Sequence, residues 1–107
     1  MYIIVLVTTP NIEESEKIAK DILQHRLAAC INILPTVKSR FWWNQRIEKE
    51  DESLMLIKTR KDLFNKLVES IKANHKYKIP EIIALEISNG LQEYLSWIDE
   101  SIGHTED

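Results

Sequence analysis

Cysteine is almost missing from this chain of 107 residues: Cys30 stands alone. One thiol closes no intrachain disulfide, which fits a reducing compartment. Glycine occurs twice and proline three times, leaving little room for a flexible linker or a disordered tract. No apolar run is long enough to span a bilayer as a helix. The strand-like stretch 2–7 that follows Met1 is too short for a secretory signal with its cleavage site. Basic charge is not in surplus either. Fourteen Lys and Arg against seventeen Asp and Glu give a net charge of −3, which argues against a general nucleic-acid binder. A Gly-rich phosphate loop, an activated nucleophile and paired catalytic acids are likewise missing, so nothing argues for an enzyme. The expectation is a cytoplasmic, single-domain protein with no membrane or nucleic-acid partner.

What is present is the balance of a globular protein, 44% hydrophobic and 29% charged. Residues 2–7 are continuously apolar and β-branched, the pattern of a strand buried on both faces, and the Thr8-Thr9-Pro10-Asn11 run breaks it. Asn11 with Glu14 resembles a capping box before Ile18, Ala19, Ile22 and Leu23 at helical spacing, and this helix should end near His25. Thr59 with Asp62 opens a second helix with Leu63, Phe64, Leu67, Val68 and Ile71 along one stripe. After a polar loop over 74–79, Pro80 starts an edge strand over 81–87. A last helix carries Leu91, Tyr94, Leu95 and Ile98, and 103–107 read as a frayed tail.

Between the first two helices, residues 28–59 read as one long β-hairpin. An arm of fifteen residues spans about 50 Å at roughly 3.3 Å per residue. A compact domain of this length is only about 35 Å across. The tip, with Phe41, Trp42 and Trp43, should therefore project beyond its own core and be covered by sister subunits. The order βαββαβ plus a C-terminal helix predicts an α+β, ferredoxin-like fold with a four-stranded antiparallel sheet, two helices on one face and two crossovers joining parallel neighbours. The other face, uncovered by this chain, is a second reason to expect an oligomer.

Five separated motifs carry a family resemblance: Arg26-Leu-Ala-Ala-Cys30-Ile-Asn32, the Trp42-Trp43 pair, Ile57-Lys58-Thr59, His75-x-Tyr77-x-x-Pro80-Glu81, and Tyr94-Leu-x-Trp97. In this order, over residues 3–102, they resemble the CutA family of divalent-cation tolerance proteins. The resemblance implies a homotrimer similar in assembly to PII-type signalling proteins, and an association with copper or other divalent cations. This chain departs from the family pattern in two places. Asn44-Gln45 replaces a glycine at the hairpin turn. Of the copper ligands proposed in some members, a first-strand Cys and a His-His pair, this chain has Val7 and Asn74-His75.

Copper(II) favours nitrogen and oxygen donors and copper(I) favours thiolate, so His75 and Cys30 are the candidate metal ligands, while His25 and His104 read as a helix-end cap and a tail residue. Cys30 has no basic neighbour in sequence and an apolar setting, which favours an inert, buried thiol. Asn32, Lys58, Tyr77 and Glu81 form a second candidate, a cleft at the base of the hairpin that would hold a small anionic ligand between subunits. Glu48, Glu50 and Glu52 alternate on one strand face, the pattern of a solvated strand that blocks edge pairing, with some capacity for a hard cation. Three functions follow: a non-enzymatic divalent-metal binder, a PII-like module for an anionic metabolite, and a scaffold for an unidentified protein partner.

Overall fold

A computed structural model describes residues 1–102; the expected frayed tail and His104 lie outside the described residues. The elements are β1 (Tyr2–Thr9), α1 (Ile12–Gln24), β2 (Cys30–Trp43), β3 (Arg46–Arg60), α2 (Phe64–Asn74), β4 (Ile82–Glu86) and α3 (Gln92–Ser101), with a 3₁₀ turn, Lys61–Leu63, leading into α2. The sheet order is β2-β3-β1-β4 with every pair antiparallel. This is the ferredoxin-like arrangement. The parallel strands joined by each crossover are not neighbours, as the sequence suggested, because an antiparallel strand lies between them.

Period-two alternation sorts the sheet into two faces. Ile3, Val5 and Val7 of β1 and Met55 and Ile57 of β3 pack against Ile18 and Ile22 of α1 and Leu67 and Ile71 of α2, all essentially buried. Burying each such side chain contributes about 1.5–3 kcal/mol. Ile4, Leu6, Leu54 and Leu56 point the other way and are only half-buried, so β1 is not enclosed on both faces. Nor is that second face wholly bare. Helix α3 crosses one end of it, seating Ile98 and Ile102 with Leu63, Tyr2 and Ala29. Asp99 fixes the helix there, accepting from Tyr2 Oη at 2.6 Å and Arg60 Nη1 at 3.2 Å. These contacts hold the Asp99 carboxyl below the usual carboxylate range, the tyrosine hydrogen bond contributing most.

Local signals explain most boundaries. Asn11 Oδ1 accepts from Glu14 N at 2.9 Å and caps α1, while the Glu14 carboxylate turns to Lys76, so only half of a capping box forms. At the other end Arg26 takes φ 57°, with Leu27 N donating to Ile22 O and Arg26 N to Leu23 O. That is a Schellman ending with arginine in glycine's usual place. Its guanidinium donates to Ser101 O at 3.0 Å, tying α1 to α3. Thr59 does not cap α2: it stays in β3 and its hydroxyl donates to Leu27 O at 2.8 Å.

The hairpin is long, as expected, with fourteen and fifteen residues in its arms. Asn44 and Gln45 make its turn with φ of 51° and 64°, the left-handed pair that a two-residue hairpin loop demands. The chain measures 44 Å along its longest axis, less than a straight arm plus a core would give. An irregularity between Leu34 and Val37, containing Pro35, shifts the register there, and such a bulge bends its strand. A row of hydroxyls braces it from below. Ser53 Oγ donates to Leu34 O at 3.1 Å, Ser15 Oγ to Ser53 Oγ at 3.0 Å, and Thr9 Oγ1 lies 2.7 Å from Ser15 Oγ. Thr9, Ser15 and Ser53 are fully buried. Replacing Ser53 with Ala strands these partners and should cost about 1–3 kcal/mol, measured as a lower urea midpoint at fixed protomer concentration. A midpoint unchanged from wild type would show the row to be dispensable.

Candidate functional site

The hairpin outruns β1 beyond the Thr9–Ser53 pair, and the chain leading into β4 passes beside it. Between them lies a cleft of about 770 Å³. One wall is the ribbon: Ser39, Phe41 and Trp43 from β2 and Glu48, Glu50 and Glu52 from β3. These residues share a face because Phe41 pairs with Glu48 and Ser39 with Glu50. The other wall is the loop before β4, with Tyr77, Lys78, Ile79 and Glu81, and Thr8 and Pro10 lie at the end of β1.

The loop is held by a relay of polar contacts. His75 Nε2 sits 2.7 Å from Thr8 O, and Tyr77 N donates to His75 Nδ1 at 3.0 Å. A carbonyl only accepts and a backbone N–H only donates, so His75 is the neutral tautomer with its proton on Nε2. The Tyr77 ring lies 4.8 Å from the imidazole, and its hydroxyl donates to Glu52 Oε2 at 2.7 Å. Burial first, and the Glu52 hydrogen bond second, hold the Tyr77 phenol well above its ordinary range. Glu52 is only 8% exposed. Glu81's carboxyl is raised too, by loss of water and then by the Glu52 charge. Among the described residues no cation forms a salt bridge with Glu48, Glu50, Glu52 or Glu81.

Within one protomer the site residues expected from sequence lie apart. Asn32, Lys58, Tyr77 and Glu81 do not converge within one protomer. Lys58 pairs with Ile4 and with Cys30, near one end of the sheet, whereas Glu81 lies one residue before the Ile82–Val7 pair, at the other. Four residues of strand, about 13 Å, separate the two levels. Lys58 Nζ lies 5.9 Å from the centre of the Tyr94 ring, and Asn32 is exposed on the open face. Cys30 is half-buried rather than enclosed, with Lys58 as a cross-strand basic neighbour that sequence proximity did not reveal. His75 and Cys30 are not brought into one metal site. Both His75 nitrogens are already engaged, and no group of three or more His, Cys, Asp or Glu side chains among the described residues is arranged to hold a metal.

The aromatic tip also divides: Phe41 and Trp43 face the cleft, while Trp42 alternates to the outer surface and is 71% exposed. The residue underrated by sequence is Glu52. The Glu48-x-Glu50-x-Glu52 alternation was visible, but the tyrosine that buries its inner end comes from 25 positions away.

A ferredoxin-like sheet with an overlong hairpin and an acidic cleft at its base defines a class of small α+β proteins. The chain belongs to the CutA1 divalent ion tolerance protein family, whose model matches residues 3–101. It is 45% identical over 102 residues to a divalent-cation tolerance protein CutA of Archaeoglobus fulgidus, covering 95% of this chain and 99% of that protein. It is 44% identical over 99 residues to a chloroplastic protein CutA 1 of Oryza sativa, covering 92% of this chain but 56% of the rice protein. A solved divalent cation tolerance protein from Thermus thermophilus superposes with a TM-score of 0.94 at 44% identity, covering 96% of this chain and all of that one.

Because Glu81 is raised, its ionisation opposes folding. Its contribution is full below the unfolded value and is lost as pH rises through the folded one. Glu81→Gln should therefore raise the melting temperature at pH 7 relative to wild type, the gap closing at about pH 4 and below. A gap independent of pH would place the effect elsewhere.

Proposed function

We propose that the protein is a non-enzymatic divalent-metal binder that takes its ion directly at the inner end of the cleft, between Glu52 and Glu81. The observation that carries this reading is Glu52, a carboxyl group more than nine-tenths buried that faces Glu81 and forms no salt bridge among the described residues. A divalent ion supplies the missing charge for both. Two carboxylates with water completing the shell suit a weakly held, exchangeable ion. Copper(II) is the first ion to test, because it stands highest in the affinity order for such donors. The name of the Archaeoglobus fulgidus relative, divalent-cation tolerance protein, agrees with this reading.

The working form in this proposal is a cytoplasmic homotrimer. Its support is apolar surface that water should not keep: Leu34, Ile83, Leu85 and Trp97 on the open side of the sheet and Trp42 and Ile47 on the outer ribbon, all exposed. The outer edges of β2 and β4 pair with no other strand of the described chain.

Calorimetric titration with copper(II) at pH 7 should show saturable binding that weakens about tenfold or more in Glu52→Gln. Binding should also weaken as pH falls and Glu81 protonates. His75→Ala should bind as wild type does; loss in that variant with no loss in Glu52→Gln would overturn the assignment. In sedimentation at micromolar concentration, wild type should run as a trimer and Trp42→Ala should shift toward monomer. A wild-type monomer would sink the assembly.

A further inference from the structure

Helix α2 hands over to the loop before β4 at His75, and that residue holds the loop through a hydrogen-bond pattern that only one protonation state allows. We propose that His75 is a pH-sensitive clasp. Neutral, it ties the loop to the end of β1; protonated, it releases residues 75–81 and with them the entry to the edge strand β4. The clasp needs no metal and stands apart from the reading of Glu52 and Glu81.

Donors and acceptors decide the state. Thr8 O, on a residue only 8% exposed, can only accept, and it takes the Nε2 proton at 2.7 Å. Tyr77 N can only donate, and it donates to Nδ1 at 3.0 Å. A neutral imidazole offers one donor and one acceptor, which matches both partners; an imidazolium offers two donors. A proton on Nδ1 would face the Tyr77 N–H head-on, so that contact must break. The Tyr77 ring, 4.8 Å from the imidazole, shares the loop backbone that this contact fixes.

The charged ring has another place to go. His75 is the residue that closes the C-terminal end of α2, where free helix carbonyls favour a cation. The helix end itself stays anchored: Asn74 Nδ2 donates to Asp21 Oδ2 at 3.1 Å and to Ser70 O at 2.9 Å. Motion is therefore confined to the chain after Asn74. Other charges surround this corner without duplicating the switch. Glu14 of α1 pairs with Lys76 at 3.7 Å, Glu52 and Glu50 of β3 act on the Tyr77 hydroxyl, and Lys78 and Glu81 belong to the loop itself. From β1 comes only the uncharged Thr8. Among the described residues none of these charges bonds to the imidazole.

The sign follows from proton counting. The clasped form binds one proton fewer than the released form, so clasping is favoured as pH rises and lost as pH falls. Histidine changes charge at roughly pH 5 to 8, so the device works near neutrality.

The test is amide hydrogen exchange of the assembled full-length protein with a chelator present, followed by NMR alongside the imidazole nitrogens of His75. At about pH 8 Nε2 should carry the proton and Nδ1 should be bare. As pH falls from about 8 to 5, the protection factor of the Tyr77 amide should drop, by up to about tenfold per pH unit, in step with protonation of Nδ1. The Val5 amide, in the core of the sheet, should keep its protection. His75→Gln retains one donor and one acceptor but does not titrate, and its Tyr77 amide should hold constant protection. Protection at Tyr77 that ignores pH, or that falls equally in His75→Gln, overturns the clasp. So does an imidazole that gains its second proton with no change at Tyr77. Should His75→Gln fail to assemble, coincidence of the two wild-type titrations supports the clasp and divergence overturns it.

Discussion

Eight residues of β1 set against fourteen and fifteen in the hairpin arms is the mismatch from which the rest of this molecule follows. A strand can be covered only where it has a neighbour, and past Thr9 the hairpin has none on the β1 side. The buried hydroxyls of Thr9, Ser15 and Ser53 sit at that point of departure. Ser53 Oγ satisfies Leu34 O where the ladder is irregular, with Ser15 and Thr9 behind it, so the ribbon leaves the sheet with that carbonyl paired. The cleft is the space under that departure. A hairpin trimmed to the length of β1 would have no cleft, no projecting tip and much less exposed apolar surface.

Electrostatics and architecture are coupled there. Tyr77 reaches Glu52 only because His75 is clamped between Thr8 O and Tyr77 N, which fixes the loop against the end of β1. The clamp uses up the imidazole that resemblance had pointed to as a metal ligand. It also places the tyrosine that encloses the Glu52 carboxylate. The same loop residues therefore matter for a different reason from the one that first drew notice to them.

Much of the fold was legible because its signals are local. Alternation of Ile3, Val5 and Val7, the Asn11 cap and the stripe through Leu67 and Ile71 each act within a few residues. The hairpin turn was legible because Asn tolerates positive φ. The misreadings share a cause. Thr59 looks like a helix cap in sequence, but the tertiary acceptor Leu27 O keeps it in the strand. Lys58 and Glu81 lie at opposite ends of the sheet within one protomer, because β3 ends where β1 begins and β4 begins near where β1 ends. Cys30 seemed to lack a basic neighbour because Lys58 is 28 positions away in sequence yet directly opposite across the ladder. Glu52 failed to stand out because burial of a charge depends on a partner that no nearby residue announces.

The opposed orientation of Trp42 and Trp43 has an optical consequence. Adjacent indoles on one strand look into different media, one toward the outer ribbon surface and one into an acidic cleft, while Trp97, paired with Tyr94 at 5.4 Å, reports on α3. The chain has only these three tryptophans. Its intrinsic emission thus divides into three channels, and single-indole versions would let association, cleft occupancy and helix docking be followed separately without an added dye.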